Sequence, residues 1–87
     1  MQAMTNPKLD KALRLLVAIE REPQSSYALA GTLETSRATV VRLVENLREL
    51  GCRIEAVREG KGDWAYHLHD WGLFAPARVR RHVEGIK

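Results

Sequence analysis

Up to Gly51 the apolar residues recur at helical spacing, and beyond it they alternate. The segment NPKLDKALRLLVAIERE places Leu9, Leu13, Leu16 and Ile19 at i, i+4, i+7 and i+10, which predicts a helix with one buried stripe. Asn6 suits its N-cap, Pro7 its first position, where no backbone donor is needed, and Pro23 closes it. A second, short helix is predicted after Ser25, whose hydroxyl can cap SYALAGTLE, with Leu29, Ala30 and Leu33 as its apolar face. Glu34 and Thr35 alone then separate it from Ser36, which caps a third helix, SRATVVRLVENLRELG. Val40, Val44, Leu47 and Leu50 form the inner stripe of that helix, Leu43 borders it, and Gly51 is placed to end it in a left-handed conformation.

In the next stretch CRIEAVRE and WAYHLH flank GKGD, whose glycines suit a reversal at positive φ, so a hairpin is predicted. In its second arm Trp64, Tyr66 and Leu68 alternate with Ala65, His67 and His69, so that one face can lie on the helices while the other meets water. Pro76 can start a fourth helix in which Val79 and Val83 share a face and Gly85 is the end. The expected fold is mainly α with a β-hairpin: a three-helix core, a two-stranded wing with a glycine-rich basic tip, and a C-terminal helix. That is the plan of a winged helix-turn-helix. Residues 1–87 are expected to form one such domain, with 1–6 frayed and 70–87 as a C-terminal extension.

Residues 11–68, about two-thirds of the chain, carry S..ALAGTLETSRATVVRLVENLRELGCRIEAV, then GKG and Y.L. This stretch resembles the winged helix-turn-helix at the N-terminus of bacterial biotin operon repressors and in related small regulators; Ser36, Arg37, Val40, Val44, Leu47, Arg48, Gly51, Ile54 and Val57 fit closely. The resemblance implies a third helix that enters the DNA major groove and a wing that follows the backbone or minor groove. It carries no biotin chemistry here, because 87 residues leave no counterpart of a ligase domain. Two departures stand out. Glu34 occupies a turn position that usually has Gly, at a conformational cost of roughly 1 kcal/mol. The wing is slightly longer, with Asp63 and Trp64 added around its tip.

Composition bounds the picture. At 87 residues, 45% hydrophobic and 29% charged, the chain has room for one modest core and no separate ligand-binding lobe. The longest apolar run, Leu15 to Ile19, is too short to span a bilayer, and the first residues carry no signal-peptide pattern. With the lone Cys52, these features lead us to expect a cytoplasmic protein. The formal charge of +3 is distributed unevenly: residues 1–34 sum to zero, 35–62 to +2 and 63–87 to +1. A polyanionic partner is compatible with this excess but is not demanded by it.

With the apolar stripe of the third helix turned inward, 100° per residue puts Arg37, Ala38, Val41 and Arg42 outward on its first turns. Arg37 or Arg42 can read guanine O6 and N7 bidentately, and Val41 can touch a thymine methyl. Ser36 and Thr39 are the candidates for phosphate contacts, Ser25 is a further DNA-binding candidate, and Arg58 and Lys61 supply the wing. The bland alternatives are a solvated helix face, with Arg42 paired to Glu45, and a merely soluble loop in which Glu59 and Asp63 offset the wing charges. His67 and His69 share a strand face, but only His82 and Cys52 are available to complete a metal site, so surface histidines are expected and no metal. No catalytic triad, carboxylate pair or phosphate-binding glycine loop stands out. Neither an enzymatic role nor a cofactor or small-molecule ligand is expected.

The expected partner is therefore double-stranded DNA, and the expected function is transcriptional regulation by occupancy of an operator, as a repressor, in a bacterium or on a mobile element. Two other readings remain open. One is an accessory factor for phage or plasmid replication or recombination. The other is a winged helix whose third helix docks on a protein, in keeping with Val41 and the modest net charge. Trp71, Leu73 and Phe74 exceed what a short tail needs unless they are covered. They either complete the core beneath the first helix or, with the fourth helix, form a homodimer interface; a dimer on an inverted repeat is the expected assembly. Arg78, Arg80 and Arg81 either add phosphate contacts or form a solvated face.

Overall fold

The computed structural model describes residues 6–58, 60–62 and 64–85. They run in the order α1 (Pro7–Arg21), β1 (Gln24–Ser25), α2 (Ser26–Leu33), α3 (Arg37–Glu49), β2 (Cys52–Arg58), β3 (Trp64–Trp71) and α4 (Pro76–Gly85). Helices and hairpin together make the winged helix-turn-helix that the periodicity predicts. The fraying expected for the first residues falls, for 1–5, outside the described part, whereas Asn6 caps α1.

One piece of chemistry starts the first three helices. Asn6 Oδ1 accepts from Leu9 N at 3.1 Å, Ser25 Oγ from Ala28 N at 3.0 Å and Ser36 Oγ from Thr39 N at 3.1 Å. Each bond satisfies an N–H that has no partner inside its helix, and each contributes about 1 kcal/mol. The C-terminus of α3 is closed by Gly51 at φ 93, with Gly51 N bonded to Arg48 O at 3.0 Å. The turn after α2 does the same without a glycine. Glu34 adopts φ 54, ψ 53, and Thr35 N returns to Ala30 O at 2.9 Å. This Schellman-type closure needs a left-handed residue, which is why so short a connection can reverse the chain.

The core lies where α1, α2 and α3 meet the sheet. Leu15, Leu16, Leu29, Val40, Leu43, Val44 and Leu47 are fully buried, each removing enough apolar surface to stabilise the fold by about 1.5–3 kcal/mol. The stripe on α1 is wider than predicted. Ala12, Leu15 and Val17 are buried beside Leu13, Leu16 and Ile19 because α1 is covered by α2, α3, β3 and α4. Its first member, Leu9, is 44% exposed, and the last member of the α3 stripe, Leu50, is 39% exposed. Both stand at helix ends, where the periodic face runs past the elements that cover it.

The sheet has three strands rather than two, in the order β1-β3-β2, all antiparallel. Gln24 and Ser25 pair with Tyr66 and Ala65, adding a two-residue strand too short to leave a signature in the pattern. Tyr66 and Leu68 pack on the core as the alternation predicts, but Trp64 is 57% exposed and Ala65, placed on the face expected to meet water, is buried at 7% exposure. Trp64 lies one step beyond Ala65, the last β3 residue that β1 covers, opposite Arg58 at the far end of the hairpin.

The tail folds back on the body. Trp71, Phe74 and Val83 pack against the core and Val79 joins it, while Leu73 is left outside. The crossing is tight at Gly72, φ 61, where an added Cβ would lie 2.4 Å from Gly51 C and 2.6 Å from both Cys52 N and Leu50 O. Leu73 N donates to Leu50 O at 3.1 Å, and Asp70 Oδ1 accepts from Gly72 N at 2.7 Å. Among the described residues no helix is long and apolar enough to cross a membrane.

Candidate nucleic-acid interface

Rotation along α3 sorts its residues as its apolar spacing predicts. Val40, Leu43, Val44 and Leu47 are buried, while Arg37, Ala38, Val41 and Arg42 are exposed and Thr39 is half-buried. The first two turns thus present two guanidinium groups and a valine to solvent. The two arginines differ in their surroundings. Arg37 Nε donates to Ser26 Oγ at 3.3 Å, across the turn from the start of α2. Arg42 has no hydrogen-bond or ion-pair partner among the described residues. Its anticipated partner, Glu45, instead accepts from Arg48 Nη1 at 2.8 Å, the i,i+3 neighbour on the other side. That choice follows from Arg48 being fixed already: its Nε and Nη2 both donate to Ile54 O, at 3.1 and 2.8 Å, beside the register shift between Arg53 and Ile54.

The serines divide the work. Ser36 Oγ, besides capping α3, donates to Thr39 Oγ1 at 3.0 Å, so both hydroxyls are engaged with each other at the helix start. The oxygen of Ser25 accepts from Ala28 N, and Ser25 itself is half-buried in β1, opposite Ala65. Ser26 and Tyr27 were missed in the sequence reading. Ser26 is the residue that touches Arg37, and Tyr27, next to it, is 70% exposed. The cap at Ser25 follows from its place before the helix, whereas the meeting of Ser26 with Arg37 depends on how α2 and α3 are set against each other.

Arg58 ends β2 and Lys61 sits at the hairpin tip beside Gly60, φ 58, both exposed. Glu59 and Asp63, the charges set against them above, lie outside the described residues. Between the helices, Lys11 Nζ donates to Glu34 O at 3.4 Å, placing a cation beside the strained turn.

A family model for the HTH domain, a helix-turn-helix, matches residues 8–62, from the first turn of α1 to the hairpin tip. The chain belongs to this family. A crystal structure of a DUF2131 family protein from Shewanella amazonensis SB2B is similar, with a TM-score of 0.82 and 17% sequence identity over 98% of this chain and 90% of that one. At that identity the likeness speaks to the fold alone, and it extends beyond the HTH domain to the tail. No curated protein matches the chain.

Several other polar groups are tied into the fold. Arg80 Nε donates to Glu20 Oε1 at 2.9 Å, a second bond joins Arg80 Nη2 to Glu20 Oε2, and the guanidinium lies 5.6 Å from the Trp71 ring centroid. The hydrogen bonds from Arg80 hold the Glu20 carboxyl below its ordinary pKa against the opposing effect of burial, and they raise that of Arg80. His82 Nε2 lies 3.0 Å from Asp10 Oδ1, a second tie between α4 and α1. Arg80, although exposed, is therefore committed to the body, whereas the exposed Arg78 and Arg81 have no hydrogen-bond or ion-pair partner among the described residues. His69 Nε2 meets Glu55 Oε1 at 2.8 Å, and its ring stacks on His67 at 6.4 Å. Cys52 is buried with Sγ directed at Trp71 O, 3.4 Å away, and burial, with Asp70 nearby, pushes its thiol pKa up. No group of three metal-ligating side chains forms among the described residues.

Proposed function

We propose that the protein is a sequence-specific, double-stranded DNA-binding regulator of transcription. It lays α3 in the major groove and the β2–β3 wing along the backbone or minor groove, as in biotin-repressor-type modules. One observation carries the reading: in an HTH domain, the outward face of the first turns of α3 holds Arg37, Ala38, Val41 and Arg42, with Arg42 free of any protein partner among the described residues. An unpaired exposed arginine on the leading edge of such a helix has the donors to read guanine O6 and N7, and the exposed Val41 offers an apolar contact for a thymine methyl. Ser36 and Thr39, at the start of α3, are the candidates for phosphate contacts, while Arg58 and Lys61 bring positive charge to the wing.

The mode of action is operator occupancy, as a repressor, in the bacterial cytoplasm. A single module reaches about one half-site, so two copies on an inverted repeat are the economical arrangement. With Val79 buried and Trp71, Phe74 and Val83 partly buried against the core, Leu73, 81% exposed, is the most open large apolar residue of the tail among the described residues and the first candidate for such an interface. Selection from a random DNA library, followed by sedimentation of the protein on the enriched site, tests both parts. Enrichment of an inverted repeat bound by two copies is expected. Recovery of no motif would overturn sequence-specific binding and favour a protein-docking winged helix, and one copy per site would remove the dimer.

A further inference from the structure

We propose that Ser26 is the positioning residue for Arg37, and that Arg37 thereby reads a guanine with the two terminal nitrogens of its guanidinium. The inference rests on α3 lying in the major groove.

Arg37 is the first residue of α3 and Ser26 the first of α2, and their side chains meet across the turn through Arg37 Nε and Ser26 Oγ, 3.3 Å apart. A guanidinium has two edges on which it can hold a pair of acceptors: one made of Nε and one Nη, the other of Nη1 and Nη2. The Ser26 bond occupies Nε and so removes the first edge, leaving Nη1 and Nη2 as a parallel pair of donors. Guanine O6 and N7 are the two adjacent acceptors of the major groove that such a pair fits. Holding the stem by one hydrogen bond also removes rotamer freedom before DNA arrives, and a side chain ordered in advance loses less entropy on contact.

Ser26 is free to act in this way because it is not the helix cap. Ser25 Oγ accepts from Ala28 N and closes α2, so the Ser26 hydroxyl has no partner other than Arg37 among the described residues. Arg42, without any such anchor among the described residues, keeps both of its edges available. The two arginines of α3 are thus unequal: Arg37 is set for one base, and Arg42 can adapt to bases or phosphates.

The experiment measures binding to the library-selected site and to all single-base variants of it, at several salt concentrations, for Arg37→Ala, Ser26→Ala, Ser26→Thr and the Ser26→Ala/Arg37→Ala double variant. Arg37→Ala identifies the base pair that Arg37 reads, expected to be a G·C pair. Ser26→Ala should then flatten the preference at that same pair by about two- to tenfold, the range for one hydrogen bond, and leave the salt slope unchanged. Ser26→Thr, which keeps the hydroxyl, should restore the preference, and in the double variant Ser26→Ala should add nothing to Arg37→Ala. The proposal is overturned if Ser26→Ala leaves that preference intact, if it weakens all sequences equally with a shallower salt slope, as a lost phosphate contact does, or if the pair is not G·C. Loss of guanine preference in Arg37→Ala with none in Ser26→Ala defeats the role of Ser26 while leaving the DNA reading in place. No effect of Arg37→Ala at any position defeats both.

Discussion

Replacing Glu34 by Gly should make the protein more stable, although it deletes an entire side chain. Glu34 is the only described non-glycine residue at positive φ, at φ 54, ψ 53, where the Cβ of an L-residue crowds the backbone at a cost of about 1–2 kcal/mol. Glycine removes that cost but is freer in the unfolded chain, which takes back about 0.4–1 kcal/mol. Nothing else is lost. The Glu34 side chain is exposed, and the bonds at this position, Glu34 N to Gly31 O and Lys11 Nζ to Glu34 O, are made by its backbone and survive the change. The net gain lies between about 0 and 1.6 kcal/mol, centred on about 0.8 kcal/mol, which is roughly 3–6 °C in Tm for a domain of this size. Glu34→Ala is the control, since it removes the charge and keeps the Cβ, and should leave Tm within about 2 °C of the parent. Calorimetry at neutral pH on the three proteins decides the matter. Equal Tm shifts for Glu34→Ala and Glu34→Gly would show that charge, not backbone strain, governs this turn, and a fall in Tm for Glu34→Gly would refute the strain argument outright.

Three further outcomes follow from other parts of the fold. Gly72→Ala should destabilise by roughly 2–5 kcal/mol, because its Cβ would meet the Leu50–Cys52 backbone at 2.4–2.6 Å and must also sit at φ 61; urea unfolding measures it, and a change under 1 kcal/mol would mean that the crossing is looser than described. Lys61→Ala should weaken binding to all DNA sequences alike and reduce the magnitude of the log-affinity against log-salt slope by about one unit, whereas altered base preference at unchanged slope would make Lys61 a base reader. Because the Glu20 pKa is lowered in the folded state, its ion pair with Arg80 stabilises the protein above the ordinary carboxylate value of about 4.3 and is lost as pH falls through the lowered value. Glu20→Gln should remove that part of the acid dependence of Tm and leave the neutral-pH side flat; an unchanged acid limb would show that the α1–α4 contact does not depend on this pair.

The parts of the fold that could be read in the sequence are those in which cause and effect lie within one turn of chain. Asn6, Ser25 and Ser36 bond to an amide three residues on, so their capping roles are written locally, as is the helix stop at Gly51. The inward face of α3 was legible because its 3.6-residue period is independent of what covers it. Where the cause lies far along the chain the pattern fails. Leu9, Leu50 and Trp64 obey their periodicities and are still exposed, because coverage ends before they do. Whether the tail belonged to the core was open until α4 was seen against α1, held by Arg80 to Glu20 and His82 to Asp10, pairs 60 and 72 residues apart. The candidate site shows the same division. The exposed arginines of α3 follow from rotation alone, whereas the contact from Ser26 to Arg37 depends on the angle that the Glu34 turn sets between two helices.

On the proposed function, the outward face of α3 reads base pairs. The most direct test of this is the affinity of an Arg37→Ala/Arg42→Ala double variant for the library-selected site and for unrelated DNA, with its thermal melt as a check on folding. Both side chains lie outside the core, so the melt should stay close to that of the parent. Specific affinity should fall by about 1–3 kcal/mol for each arginine, bringing the selected site down towards unrelated DNA. A stably folded double variant that still prefers the selected site as strongly as the parent would show that α3 does not read bases through these arginines.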